Sequence, residues 1–201
     1  MKKFFKILGF GLLGLVVLVA ILGEETEKGT SQNAVGATPE PTQAVNLPIP
    51  EDQKTFVGIV TAGFEAWDAG QTDMQRGAAL AQRSTAICAA LKTMQVSEWV
   101  GKVVLATTNS EGKGVFGVEL EKNVTITTYN NALSDIGSDT LIEQSSDVFK
   151  DVSSLQKGDF VKFSGVLFPD EETCIREQSL TLKGKVTDPE FTFRFSSVSK
   201  L

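Results

Sequence analysis

The first feature of the chain is an uninterrupted apolar run near its N-terminus. The 17 residues from Ile7 to Gly23 carry no charge, and Lys2, Lys3 and Lys6 precede them. As a helix rising about 1.5 Å per residue, the run would reach about 25 Å, close to the thickness of the hydrocarbon core of a bilayer. It therefore predicts a membrane-directed segment over residues 1–23.

Charges on the two sides of this run predict its orientation. Lysines precede the run, whereas Glu24, Glu25 and Glu27 follow it, and a positively charged flank remains in the cytoplasm. We expect a single-pass anchor in a bacterial inner membrane, with the C-terminal part in the periplasm. A cleaved signal peptide is the alternative, because a basic start and an apolar middle suit both; it would export the same domain.

Residues 24–50 differ in composition from the rest of the chain. They are rich in Thr, Gln, Ala, Gly and Pro and contain few large apolar side chains. Such a segment cannot bury a core, so it predicts a flexible linker.

Helical periodicity begins after this linker. Four apolar residues at intervals of four, four and three share one face of a helix: Phe56, Val60, Phe64 and Trp67. After a break, Thr72 and Gln75 have the spacing of a capping box that opens a second helix. Residues 51–96 therefore predict an antiparallel helical hairpin.

From residue 97 onward, short runs of alternating apolar and polar residues are typical of strands. The predicted strands cover residues 99–107, 115–120, 124–129, 159–168 and 174–185, with a last extended piece over 191–198. A short helix is predicted over about 144–155. Three strands, a helical crossover and two more strands is the order of the OB-fold. The expected fold class is α+β: an N-terminal transmembrane helix, a helical hairpin, then an OB-like five-stranded β-barrel over residues 97–201.

The segment that enters the fourth strand resembles a known group of barrels. Residues 155–165 read Leu-Gln-Lys-Gly-Asp-Phe-Val-Lys-Phe-Ser-Gly, and a short helix followed by a Gly-Asp turn introduces this strand in many OB-folds. The chain is similar here to exported bacterial OB-fold modules and to the tRNA-anticodon-binding-like OB group. The resemblance implies a scaffold and no particular activity.

Composition excludes several kinds of chemistry. The 201 residues include no histidine and two cysteines, which excludes imidazole-dependent catalysis and a Cys₄ zinc site. Matches to S-x-x-K at Ser110 and Ser154 lack the companion motifs of acyl enzymes, and the acidic run 170–172 fits a solvated turn. We therefore expect no catalytic residue, no cofactor and no metal.

Net charge bears on the partners. Residues 51–201 hold 15 basic and 21 acidic side chains, so the domain repels phosphate backbones on average and nucleic-acid binding is disfavoured.

The two cysteines allow a single intramolecular pairing. In an exported domain Cys88 and Cys174 meet an oxidising compartment, where a disulfide would join the hairpin to the barrel. Two separate buried thiols are the alternative, because cysteine is commonly buried.

Candidate binding residues concentrate after the third strand, where loops on a rigid scaffold carry binding groups. A tryptophan, which either joins this loop on the barrel surface or is buried, and an arginine on the last strand complete the set: Trp99, Tyr129, Asn130, Asn131, Ser134, Asp135 and Arg194. Near that arginine, Phe191, Phe193 and Phe195 alternate, which favours a place in the barrel core; stacking platforms for bases or sugars are the alternative.

Together these patterns predict a membrane-anchored, extracytoplasmic, non-catalytic binding protein. Its partners would be the membrane, through the N-terminal helix, and an envelope protein or small ligand, through the barrel. The alternative is a single-stranded nucleic-acid or oligosaccharide-binding OB module, which requires a basic or aromatic groove.

Overall fold

The computed structural model of the protein describes residues 48–201. The predicted membrane-directed segment and nearly all of the predicted linker lie outside the described residues. Within the described range, none of the helices has the length and apolarity required to cross a bilayer.

The described chain forms helices and a barrel, with short elements between them. The helices are α1 (Glu51–Ala69), α2 (Asp73–Ala90), α3 (Asp147–Ser153) and α4 (Leu182–Thr187). The strands are β1 (Gln95–Thr108), β2 (Gly114–Glu121), β3 (Val124–Thr127), β4 (Phe160–Leu167), β5 (Pro169–Asp170), β6 (Cys174–Ile175) and β7 (Glu190–Lys200).

The capping box predicted for the second helix is present. The Thr72 hydroxyl accepts a hydrogen bond from the Gln75 backbone N–H (3.2 Å), and the Gln75 side-chain oxygen accepts one from the Thr72 N–H (3.1 Å). Two N–H groups that the first turn of α2 leaves without helical partners are thereby satisfied.

Five strands close into a barrel in the order β1–β2–β3–β7–β4. β3 and β7 are parallel, and the other neighbours are antiparallel. β1 closes the barrel because its first half pairs with β4 and its second half with β2. With α3 between β3 and β4, this α+β architecture is compatible with an OB-like fold.

The fifth predicted strand differs from the structure. The predicted strand over 174–185 is wrong: the extended piece predicted over 191–198 forms β7 and is the fifth barrel strand, and residues 168–189 form an insertion that contains the β5–β6 hairpin and α4. The physical reason is the supply of apolar side chains. Leu180 and Leu182 are 97% and 56% exposed, whereas β7 offers alternating phenylalanines that can fill a barrel.

Those phenylalanines form the centre of the core. Phe191 and Phe193 are fully buried and Phe195 nearly so, and the rings of Phe193 and Phe195 meet edge to face at 4.7 Å. Phe163 of β4 contacts the same two rings at 5.6 and 5.5 Å. The core interpretation of this alternating triplet agrees with the structure, and none of the three side chains is open to a ligand.

Helix α1 belongs to the same core. Its Phe56 is fully buried against Phe191 of β7 and Trp99 of β1, at centroid distances of 4.9 and 5.3 Å. One turn earlier, the Gln53 amide donates to the Val100 carbonyl (2.6 Å) and accepts from the Val100 N–H (2.8 Å). Gln53 thus satisfies backbone groups of β1 much as a neighbouring strand would.

Candidate functional site

A disulfide joins α2 to the insertion. Cys88 of α2 is bonded to Cys174 of β6, with their Cα atoms 5.9 Å apart. The predicted disulfide between the two cysteines is therefore confirmed. Cys174 lies in the insertion rather than in a barrel strand.

A buried ion pair crosses the same junction. Arg83 of α2 donates from Nη2 to Glu177 Oε1, and their side chains are 2% and 0% exposed. Arg83 Nη1 also donates to the Lys185 carbonyl (2.6 Å). Burial raises the pKa of Glu177, while the positive charges of Arg83 and Lys185 oppose that shift.

Gly63 on α1 creates the space for this pair. A Cβ atom at this position would lie 2.7–2.9 Å from the aliphatic stem of Arg83. A side chain on Gly63 would therefore displace the arginine, so a glycine that weakens the helix locally allows the charged residue to pass between α1 and α2.

Several predicted binding residues instead stabilise the loop after β3. Asp135 is buried and accepts from the Thr140 N–H (2.7 Å), the Thr140 hydroxyl (2.6 Å) and the Leu141 N–H (3.1 Å). Asn131 accepts from the Ser134 N–H (2.9 Å) and donates to the Ser134 hydroxyl (3.0 Å). These bonds give the loop a defined shape, while Asn131 and Ser134 remain exposed.

Trp99 lies away from that surface. It is fully buried, and its indole N–H donates to Asp52 of α1 (3.0 Å). The structure therefore places Trp99 between β1 and α1, where it holds the helix, whereas Tyr129 is half-buried and Asn130 exposed at the end of β3.

Arg194 projects from the exposed side of β7. Its guanidinium carbon lies 5.7 Å from the centroid of the Phe168 ring, and the guanidinium carbon of Arg176 lies 5.6 Å from the same centroid. We call these three residues the arginine cluster. Within residues 48–201, neither guanidinium forms an ion pair with an acidic side chain.

The loop after β3 and the arginine cluster are joined by one hydrogen bond. Arg176 Nη1 donates to the Ser138 hydroxyl (3.0 Å). Next to it, the Gln178 amide donates to the Thr128 carbonyl (3.0 Å). Among the predicted binding residues, Arg194 and the loop after β3 therefore share one surface. Arg176 joins them, because it contacts both the Phe168 ring and Ser138.

Phe168, Arg176 and Ser138 were missed by the sequence interpretation. A signal for Phe168 existed, because alternation along β4 turns it outward directly after the buried Leu167. No comparable signal marks Arg176, since the sequence pattern around it predicts a barrel strand that does not form.

An acidic turn lies beside Arg176. Asp170 Oδ1 accepts from the N–H groups of Glu172 (3.0 Å) and Thr173 (2.9 Å). The Thr173 backbone bond is the largest cause that lowers the pKa of Asp170, and the positive charge of Arg176 acts in the same direction. With Pro169, Glu171 and Arg176, these acids line an open groove of about 590 Å³.

The face of β2 is not available in the same way. Its residues Gly114–Val118 are all buried, and Gly114 pairs with Ile142 from the segment that follows the loop. OB-folds commonly bind oligonucleotides and oligosaccharides on the face of strands 2 and 3. In this protein, the arginine cluster lies instead beside β4 and β7 and on the insertion.

Across the part of the chain that the structure describes, no group of acidic or cysteine side chains is arranged to hold a metal ion. Comparisons with models of protein families, with curated proteins and with solved structures find no match to this chain.

Proposed function

We propose that the protein is a membrane-anchored, extracytoplasmic, non-catalytic binding protein of the OB group. It contacts an envelope protein or a small ligand through the arginine cluster and the adjoining loop over residues 129–140. The observation that carries this proposal is the pair of guanidinium groups at one aromatic ring, both without an acidic partner among the described residues.

The disulfide supports the location. Disulfides such as the bond between Cys88 and Cys174 persist in an oxidising compartment and are rare in the cytosol. The basic start and apolar run of the N-terminal sequence would direct the domain to such a compartment.

Two structural features and the net charge favour a protein or small-molecule partner over a nucleic acid or an oligosaccharide. The buried residues of β2 leave little room for stacked bases or sugars on that face, and the phenylalanines of β7 lie in the core. The excess of acidic side chains also opposes a polyanionic ligand.

Site-specific photocrosslinking in intact cells tests the proposal. A photoreactive amino acid replaces Asn131 or Arg194 on the proposed surface, and Gln82, an exposed residue of α2, serves as the control position. We expect crosslinked products from the first two positions that the control lacks. Identical products from all three positions, or none, would contradict a binding role for this surface.

Location is tested separately by a reporter fused after Leu201. We expect activity from a reporter that requires export and none from one that requires the cytoplasm. The reverse result would overturn the extracytoplasmic proposal.

A further inference from the structure

We infer that the arginine cluster binds the carboxylate of a ligand that also carries an amine, such as a short peptide with both termini free. The inference rests on the proposed function and specifies the ligand class of the same surface.

The donors of the cluster are largely unused. A guanidinium has five N–H donors, and Arg176 directs one bond to Ser138. Among the described residues, the Arg194 side chain has no hydrogen-bond acceptor and no acidic partner; its contact is with the Phe168 ring. Fork-shaped donors of this kind match a planar carboxylate in a bidentate arrangement.

The Phe168 ring orients these donors without neutralising them. A guanidinium over an aromatic face is attracted to the ring quadrupole, so both side chains are restrained beside the same half-buried ring. Two positive charges at one ring favour an anion over a cation at this surface.

The acidic turn decides which anion fits. Asp170, Glu171 and Glu172 line the groove that also contains Arg176. Their negative charges oppose a doubly charged phosphate more strongly than a singly charged carboxylate. They also attract an ammonium group, so the groove suits a ligand that presents both charges.

Titration of the isotopically labelled full chain in detergent tests this inference. The probes are glycylglycine, its C-terminal amide and inorganic phosphate, and the readout is the side-chain Nε–Hε NMR signals of Arg176 and Arg194. We expect glycylglycine to shift both signals saturably and the amide to leave them unchanged. Phosphate should bind more weakly than glycylglycine. Equal shifts with the amide, or tighter binding of phosphate, would overturn the assignment.

Matched variants locate the effect. Arg176→Gln and Arg194→Gln should each weaken glycylglycine binding at least about tenfold, the loss expected for a hydrogen bond to a charged group. Arg76→Gln removes the same charge from α2, where the side chain is 39% exposed, and should change the affinity less than about twofold. Equal losses in all three variants would overturn the inference.

The two proposals fail separately. If crosslinks from position 131 persist in cells while glycylglycine shifts neither arginine, the surface binds by other chemistry and only the ligand assignment fails. If glycylglycine binds while residue-specific crosslinks are absent, the proposed cellular role fails and the ligand assignment stands.

Discussion

Replacing both cysteines with alanine tests how strongly the disulfide stabilises the fold. Cys88 and Cys174 are 86 residues apart, and a crosslink that closes a loop of this length lowers the entropy of the unfolded chain by an amount equivalent to about 4.6 kcal/mol at 25 °C. Cys88 lies at an exposed position of α2 and Cys174 at a half-buried position of β6, so little buried area is lost with the two sulfurs. The change should therefore report the loss of the crosslink rather than a cavity.

Thermal unfolding of the full chain in detergent, followed by circular dichroism, measures this change. For a folded part of roughly 150 residues, each kcal/mol shifts the midpoint by about 2–4 °C, so we expect a fall of roughly 9–18 °C. Wild-type protein treated with a reductant should show the same fall, and the double variant should not respond to the reductant. A fall of less than about 4 °C would refute the reasoning, because the insertion would then be held by its other contacts alone.

Three further predictions concern the junctions of the fold. Gly63→Ala should destabilise the protein by about 1–3 kcal/mol in urea unfolding, because the added Cβ would meet the stem of Arg83. Gly58→Ala on the same helix, where the added Cβ has open space, should instead stabilise the protein by about 0.5–1 kcal/mol. Equal effects of the two variants would contradict the explanation. Glu177→Gln should lower the free energy of unfolding by about 3–5 kcal/mol, since it leaves Arg83 buried without a counter-charge. The double variant Arg83→Met with Glu177→Leu should recover most of that loss. A double variant as unstable as the single one would contradict the role of the unpaired charge. The hydrogen bond from Lys200 (2.8 Å) lowers the pKa of Asp159. The stability that this bond contributes is therefore present above the ordinary pKa of 3.8 and is lost as the pH falls through the lower folded-state pKa. Asp159→Asn should be less stable than wild type at pH 7 and equally stable at low pH, and a difference independent of pH would exclude this role.

Local interactions explain what the sequence predicted well. The Thr72 and Gln75 capping box forms between residues three apart, and its geometry depends on nothing beyond the first turn of α2. The alternation of Phe191, Phe193 and Phe195 is likewise local, and it predicted one buried strand face. The disulfide was predictable because two cysteines allow only one intramolecular pairing.

Register explains much of what the sequence did not predict. Arg194 reaches Phe168 because β7 pairs with β4 so that Arg194 lies opposite Val166, two residues before the ring. Neither segment carries a mark of this pairing. The sequence also does not predict the burial of Trp99. Periodicity assigns a residue to one face of a strand, but it does not show that Asp52 and Phe56 of a helix far away in the chain cover that face.

The sequence by itself determined α1, α2 and α3, the order of the first four barrel strands, the acidic charge and the identity of the cysteine pair. It also carries the basic and apolar pattern from which a membrane anchor is expected. Only the tertiary structure decided which strand closes the barrel and which polar side chains remain free. The physical reason is that helix periodicity and capping depend on neighbours a few residues away, whereas closure and the arginine cluster depend on contacts between segments far apart in the chain, whose register follows from the packing of the whole core.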